Sequence, residues 1–328
     1  MEPESGVFDD LAGELTRLSE FCRRLDGRPE HRAFLTRAHR LTRDIGIALA
    51  RGSRPVATQP AATTSPPLAV GNLGRFQITR GGQALPPCAA RKSIAVFRYL
   101  LTRTGRMAHK ADLAESMWPG SAPKDAAHSV HVAVSTVRRY LDAGPGRSYL
   151  IFTAGTYRIN PAVEVTDDAD TFQQNVTQAD RFWKDGDTSS AELAYVRAIE
   201  SYGGDYCVAD LDFPWATSER ERHLNRYLAA LYRLGRLRLK QRRYEAAAEC
   251  LARVVERDSY REDVHLQLML CYSRLGRRWQ AVQQYLRCRD LLRADLGLPP
   301  APRLQELYEA ILQSREGSPF MLDWEGTP

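Results

Sequence analysis

Residues 128–141 show the clearest separation of apolar and polar positions in the chain. At about 100° per residue, one side of this segment collects the apolar side chains Val130, Ala133, Val134, Val137 and Leu141. His128, Val132, Ser135 and Arg139 fall on the opposite side, which carries no acid and ends in a pair of arginines. The pattern predicts a helix packed along one face. Its outward face suits base edges and thymine methyl groups in a DNA major groove, with a merely solvated basic face as the alternative.

The segments around this helix predict a winged helix. Residues 73–79, LGRFQIT, alternate like a strand, and a break at Gly144-Pro145-Gly146 precedes two β-rich runs that meet at Ala154-Gly155. Helical patterns lie between these parts, over residues 93–104, 110–117 and 124–141. In a winged helix the third helix enters the major groove, and the terminal hairpin lies beside it over the backbone or the minor groove.

The first 70 residues divide into two parts. Apolar side chains recur at three- and four-residue steps over residues 8–25 and again over 35–48, so residues 8–50 read as a helical hairpin. Two short helices are marginal alone and must pack on the rest of this chain, on a second copy or on a partner. Residues 51–70 contain four prolines and no periodic large apolar residue, which predicts a flexible linker.

Beyond Thr166 the chain is almost entirely helical in pattern. Arg243-Tyr244-Glu245-Ala246 and Arg278-Trp279-Gln280-Ala281 resemble each other at a 35-residue offset, and residues 186–202 form a weaker third copy. This period is close to that of tetratricopeptide repeats, in which small residues allow helices to approach closely. We expect Tyr244 and Trp279 to lie in the core. The array either binds partners in its groove or serves as a helical core that stabilises and dimerises.

Charge is concentrated in the segment with the winged-helix pattern. The 328 residues carry a net charge of +6, but residues 71–160 contain 13 Lys or Arg and 4 Asp or Glu, a net +9 that leaves −3 for the remainder. A basic module on a nearly neutral body is the footprint of a nucleic-acid binder, although a generic basic surface has the same composition.

Several other classes of function lack support in the sequence. The six cysteines form no CxxC pair, and no membrane span or signal peptide is evident, so we expect free thiols in a cytoplasmic protein. His128 and His131 lack a third ligand nearby in sequence, so no metal or cofactor is predicted. Catalytic signatures and the GxxxxGK[ST] phosphate loop are absent, which argues against an enzyme. Asp167, Asp168 and Asp170 are interpreted as N-capping residues of a helix.

Specific strings then indicate a family. LGRFQIT, Arg91-Lys92, ADLAESMWP and VHVAVSTVRRYL resemble the DNA-binding domain of the Streptomyces antibiotic regulatory protein (SARP) family, which is similar to the effector domain of OmpR-type response regulators. Residues 167–314 resemble the bacterial transcriptional activator domain that follows it. The strings that carry this second resemblance include Asp170-Thr171-Phe172, Tyr202-Gly203-Gly204-Asp205, Tyr260-Arg261-Glu262-Asp263 and ADLGLPPAPRLQELYEAI. Thr136 and Thr156 depart from the family, which commonly has Arg and Gly at these positions.

The resemblance implies a mainly α protein that regulates transcription. The expected parts are a helical extension (1–50), a Pro-rich linker (51–70), a winged helix with small β elements (71–162), a tetratricopeptide-like activator domain (166–316) and a tail (317–328). The resemblance implies an activator that binds tandem promoter repeats in double-stranded DNA as a homodimer and contacts RNA polymerase. No association with membranes is expected, because the sequence offers no apolar span.

Individual DNA contacts can be assigned from the helix pattern and the resemblance together. Lys92, Arg138 and Arg147 are expected to anchor phosphates, and Arg158 on the wing is expected to reach the backbone. His128, Val132, Ser135 and Arg139 are expected to face bases, with His131 and Thr136 also on the DNA side. The rival hypothesis is a helical-repeat adaptor whose winged helix makes protein contacts and whose N-terminal hairpin recruits a partner.

Overall fold

The computed structural model describes residues 65–142, 148–208 and 213–313. Four of the predicted features lie outside these ranges: the N-terminal extension over residues 1–50 with its hairpin over 8–50, most of the linker, the tail, and Arg147. Within them the strands are β1 (Leu68–Gly71), β2 (Gln77–Arg80), β3 (Gln83–Ala84), β4 (Met107–His109), β5 (Leu150–Thr153), β6 (Thr156–Ile159) and β7 (Val165–Asp167). The helices are α1 (Arg91–Thr102), α2 (Lys110–Met117), α3 (Pro123–Leu141), α4 (Asp168–Lys184), α5 (Thr188–Ser201), α6 (Pro214–Lys240), α7 (Tyr244–Arg257), α8 (Glu262–Arg274), α9 (Arg278–Leu296) and α10 (Pro302–Gln313).

The predicted winged helix is confirmed. Helices α1, α2 and α3 begin and end within two residues of the predicted bounds, and β4, β6 and β5 form a three-stranded antiparallel sheet in that spatial order. Strands β5 and β6 form the wing, a hairpin that turns at Ala154 (φ 48°) and Gly155 (φ 79°). Two successive positive φ angles match the twist of a two-residue hairpin turn, so Thr156 can begin β6 directly after it.

The predicted linker ends earlier than expected, because residues 68–71 form strand β1. This strand pairs antiparallel with β2 and parallel with β7, giving a sheet of order β3-β2-β1-β7. Leu68 and Val70 are buried while Ala69 is exposed, the alternation of a strand with one packed face. The strand is only four residues long and follows two prolines, so its pattern was too short to distinguish from a linker.

The region after β7 is a series of antiparallel helix pairs, α4–α5, α6–α7 and α8–α9, followed by α10. Asp167 caps α4 by accepting a hydrogen bond from the Ala169 amide, and Asp187 caps α5 by accepting one from the Ser190 amide. Ala247 and Ala281, both fully buried, occupy corresponding places in α7 and α9. The repetition expected from the sequence is therefore present as a packed array.

The register of the repeats is 34 residues, so the predicted 35-residue offset is wrong by one. Helices α7 and α9 begin at Tyr244 and Arg278, and the buried Ala247 corresponds to the buried Ala281. Trp279 then corresponds to the exposed Glu245 and not to Tyr244. This explains why Trp279 is 71% exposed, contrary to the expectation that it lies in the core.

The winged helix and the helical repeats as far as α8 share one continuous hydrophobic core, and α9 and α10 pack with α8 in a second cluster. At their junction Asn72 is fully buried and bonded on several sides. Its side-chain amide donates to Asp167 and accepts from Nε of Arg98, and its backbone amide donates to Asp168. The Tyr99 ring packs edge-on against Trp215 of α6, with 5.5 Å between ring centroids. These contacts join the two regions by packing as well as by the chain itself.

Candidate nucleic-acid interface

Helix α3 presents one buried face and one exposed face, as its sequence predicts. Ala126, Val130, Ala133, Val134, Val137 and Leu141 are buried. On the opposite side His128, Val132, Ser135 and Arg139 are exposed, and the side chain of Val132 is 53% exposed. Val132 is thus an accessible apolar side chain that stands among hydrogen-bonding and cationic groups. The structure therefore brings together the four residues expected to face bases.

Three other predicted contact residues of α3 form hydrogen bonds within the protein, two of them with the wing. Arg138 is half-buried and its Nε donates to the Leu150 carbonyl of β5 at 3.0 Å. His131 is exposed, and its Nδ1 lies 3.1 Å from the Tyr157 hydroxyl of β6. Thr136 is half-buried and its hydroxyl donates to the Val132 carbonyl within the helix at 2.9 Å. These three side chains fix the helix against the wing or bond within it.

The wing contributes two aromatic residues that are not among the contact residues predicted from the sequence. Phe152 of β5 is 45% exposed, and its ring centroid lies 4.5 Å from that of Tyr157 and 6.5 Å from that of His131. Tyr157 is buried, and this burial raises the pKa of its phenol despite the nearby Arg138, so the hydroxyl keeps its proton at neutral pH. Phe152 shares the inner face of the sheet with the buried Leu150, so alternation alone assigns it to the core.

The remaining predicted phosphate contacts are dispersed. Lys92 is exposed in the first turn of α1. Arg158 lies in β6 opposite Met107 and Ile151, and its Nε is buried without a hydrogen bond among the described residues. The tip of the wing at Ala154-Gly155 carries no cationic side chain. Arg158 is thus held along the strand, away from the turn.

Other kinds of site find little support in the described ranges. No three His, Cys, Asp or Glu side chains within them group as a metal site would require. In the same ranges, no helix combines the length and the apolar character needed to cross a bilayer. His131, which could have shared a metal with His128, is instead engaged with Tyr157.

The helical-repeat region matches a family model. The model describes the bacterial transcriptional activator domain and covers residues 167–312. The regulatory protein AfsR of Streptomyces coelicolor is 29% identical over 247 residues, which are 75% of this chain and 24% of that protein. The regulatory protein DnrI of Streptomyces peucetius is 25% identical over 75% of this chain and 92% of its own length. Residues 167–312 thus belong to the bacterial transcriptional activator domain family, and the chain as a whole is similar to regulators of the SARP family.

A solved structure extends this likeness to the fold. Mycobacterium tuberculosis EmbR, determined in complex with a low-affinity phosphopeptide, superposes with a TM-score of 0.64 at 25% identity. The match covers 75% of this chain and 65% of EmbR. The mainly α architecture with a winged helix is therefore shared with a named transcriptional regulator. The chain spans about a quarter of the length of AfsR, since the match covers 24% of that protein.

Proposed function

We propose that this chain is a sequence-specific DNA-binding regulator of transcription that acts in the cytoplasm without catalysing a reaction. The observation that carries the proposal is the exposed face of α3 from His128 to Arg139. It has no acidic side chain, and it sets the half-exposed Val132 among hydrogen-bonding groups. Polar and apolar groups together on one helix face are what a major groove requires, since each base pair presents hydrogen-bonding edges and thymine adds a methyl group.

We further propose that the winged helix binds DNA and that the helical repeats act in activation. The predicted domain bounds, 71–162 and 166–316, then need one adjustment, since β1 begins at Leu68. A homodimer on tandem promoter repeats that contacts RNA polymerase is the assembly that the family resemblance implies. The likeness to DnrI over 92% of its length supports a common arrangement of the two regions.

A second function, that of a protein adaptor, is favoured by one observation. Trp279 is 71% exposed on the first turn of α9, and Leu193 is 62% exposed on α5. An exposed tryptophan is the kind of side chain that anchors a protein partner, and a repeat array offers an extended surface for such contacts. Such contacts are compatible with RNA polymerase as a partner, but they would also serve an adaptor that binds no DNA.

Salt dependence of DNA affinity separates these two functions. If six or more phosphates are contacted, the affinity should fall by about 10³ between roughly 50 and 200 mM salt, because bound counterions are released. Fluorescence anisotropy with bacterial genomic fragments measures the slope, and selection from a random duplex library identifies the preferred site. A flat salt response, or no binding at low salt, would reject the DNA-binding function and leave the adaptor.

A further inference from the structure

A row of positively charged side chains runs along one side of α6. At about 100° per residue, six side chains between residues 222 and 240 fall within about 40° of one direction, and five of them are cationic. The sixth is Ala229. The row is about 27 Å long, and its side chains are all exposed or half-buried. The five residues of this α6 cationic row are Arg222, Arg226, Arg233, Arg236 and Lys240.

Helices α4 and α8, the first helices of the neighbouring pairs, flank the row. Arg233 forms an ion pair with Asp180 of α4. The Tyr232 hydroxyl, one residue earlier on α6, accepts a hydrogen bond at 2.9 Å from the Gln267 side chain of α8. Because one turn of α6 thus contacts both neighbours, the three helices lie side by side and form one surface with the row along its middle.

Carboxylates of the protein neutralise only part of the row. Glu219 pairs with Arg222, and Asp180 pairs with Arg233. The other three cations form no ion pair with a carboxylate of the described residues. These three are Arg226, Arg236 and Lys240.

The unpaired cations lie at spacings that are unfavourable in an isolated helix. Arg236 and Lys240 are four residues apart, and like charges at this spacing destabilise a helix. Arg236 lies 5.8 Å from the ring centroid of Tyr232, and Lys240 lies 5.9 Å from that of Trp183 on α4. A ring holds a cation in place but does not cancel its charge. The row is therefore suited to an anionic partner, which removes the repulsion.

We propose that the α6 cationic row binds an acidic helical segment of a partner protein, laid between α4 and α8. Carboxylates that recur at three- and four-residue steps along such a helix match the spacing of the row, and the small Ala229 allows a close approach near its middle. Duplex DNA fits this surface less well, because Asp180 and Glu219 lie beside the row and repel phosphates, whereas a peptide can present neutral side chains there. The inference goes beyond the proposed DNA-binding function and does not depend on it.

Peptide binding to the full chain is the first test. The probe is a fluorescein-labelled helical peptide of about 18 residues, the length of the row, with Glu at three- and four-residue steps. A second peptide carries Gln at each Glu position and so differs only in charge. Fluorescence anisotropy at low salt should show at least about ten-fold tighter binding of the acidic peptide, and added salt should reduce the difference, because exposed charges are screened. Equal affinities of the two peptides would overturn the proposal.

Substitutions in the row test which side chains bind the peptide. An exposed ion pair is worth a factor of about two to five in affinity, so Arg226→Gln, Arg236→Gln and Lys240→Gln should each weaken binding of the acidic peptide by that much. Together the three changes should weaken it at least about ten-fold. Thermal unfolding shows whether each variant folds, and if the triple variant does not, Arg226→Gln decides alone. Wild-type affinity in the folded variants contradicts the assignment.

A matched triple variant removes the same charge elsewhere. Arg287 and Arg293 of α9 and Arg303 of α10 are exposed cations that form no ion pair among the described residues. Arg287→Gln, Arg293→Gln and Arg303→Gln together lower the net charge by the same amount, yet the affinity for the acidic peptide should stay within about two-fold of wild type. Equal losses in the two triple variants would mean that the peptide responds to net charge and not to the row.

Titration with duplex DNA separates this inference from the proposed function. The triple variant of the row should bind duplexes as tightly as wild type. If it loses affinity for duplexes but keeps its affinity for the acidic peptide, the row binds nucleic acid and the proposal is wrong. If wild type binds the acidic peptide through the row but binds no duplex, the proposed DNA-binding function fails and this inference stands.

Discussion

Arg138 and Arg139 are neighbours in the sequence, but the structure gives them different surroundings. Arg139 is exposed on the outward face of α3, where it is free to reach a base edge. Arg138 is half-buried and donates to the Leu150 carbonyl, so its guanidinium already helps to hold the wing against α3. The sequence alone predicts only a phosphate contact for Arg138. A rotation of about 100° from one residue to the next therefore leaves Arg139 as a candidate to contact bases and places Arg138 where it stabilises the wing.

Substitutions of these two arginines should therefore differ in kind. Arg138→Ala removes a hydrogen-bond donor from the buried Leu150 carbonyl and should lower the free energy of unfolding by about 1 kcal/mol. If Arg138 also contacts a phosphate, the affinity of the variant for DNA should depend less steeply on salt concentration. Arg139→Ala should change stability by less than about 0.5 kcal/mol, because it is exposed. Urea unfolding of the two variants makes the comparison. Equal losses would contradict the assignment.

Val132 should affect sequence preference more than any other residue on the outward face. Val132→Ser exchanges a half-exposed apolar side chain for a smaller, polar one. We expect a loss of about 1–3 kcal/mol in the free energy of binding to the preferred site, with relaxed selection at a thymine. Selection of sites from a random library should return an altered motif for Val132→Ser and for Arg139→Ala. Recovery of the wild-type motif by both variants would show that α3 does not read DNA.

At the scale of elements, hydrophobic periodicity predicts the long helices but does not reveal the shortest strands. The 19 residues of α3 give five turns over which the apolar face is unmistakable. Strand β1 has four residues and β7 has three, too few for alternation to stand out from a linker or a helix start. The repeat offset failed for another reason. The similarity of the strings RYEA and RWQA suggests an offset of 35 residues, but it does not coincide with the helix starts. Those starts follow turns in which Arg242, before α7, and Gly276, before α9, have positive φ angles, and these two residues are 34 positions apart.

The candidate site was predictable only as far as one helix determines it. Burial of one face of α3 fixes which side chains point outward, and the four predicted base-facing residues are indeed exposed. The wing adds residues from a different element, and their proximity to His131 depends on how the hairpin folds back across the chain. Neither Phe152 nor Tyr157 has a local signal for that contact. The aromatic pair across β5 and β6 becomes evident only when the register is known.

At the scale of the whole molecule, a buried polar junction links the winged helix to the repeats. Asp167 accepts hydrogen bonds from the Asn72 side chain and the Ala169 amide, yet burial dominates and raises its pKa to about 7. Burial also raises the pKa of Asp168, although this carboxylate accepts hydrogen bonds from the backbone amides of Asn72 and Leu73. The junction thus holds a carboxyl group that keeps its proton in the folded chain close to neutrality.

Stability should consequently fall as pH rises from 6.5 to 8. Folded Asp167 retains its proton up to about pH 7 whereas an unfolded aspartate has released it, so the unfolded state binds fewer protons and a rise in pH favours unfolding. We expect the free energy of unfolding, measured with urea, to fall by about 1 kcal/mol over this pH range. The fall should be smaller in Asp167→Asn, which has no carboxyl group to titrate. His223 acts oppositely but at lower pH. Its folded pKa is lowered to about 4 by burial and by Arg222 and Arg226, so it destabilises the fold below about pH 6.5. A stability that rises between pH 6.5 and 8 would contradict the expectation.

The junction also depends on close backbone approach, which two glycines allow to be tested. Gly74 has φ +84°, and a Cβ there would lie 2.6 Å from the Gly203 carbonyl oxygen of the loop after α5. Gly82 has nearly the same φ, +83°, but a Cβ there would meet nothing within 4 Å. Gly82→Ala should therefore cost only the strain of a positive φ, about 1 kcal/mol.

Gly74→Ala adds a clash with backbone that cannot yield without moving the repeats away from the winged helix. We expect Gly74→Ala to lower the free energy of unfolding by about 3 kcal/mol or more, a loss typical of substitutions that disrupt a strained and tightly packed site. Hydrogen exchange should speed up at residues 72–74 and 205–207, where the Gly74 amide bonds the Asp205 carbonyl and the Cys207 amide bonds the Asn72 carbonyl. Equal losses for the two variants would mean that the close approach contributes nothing and that the two regions are joined by side-chain packing alone.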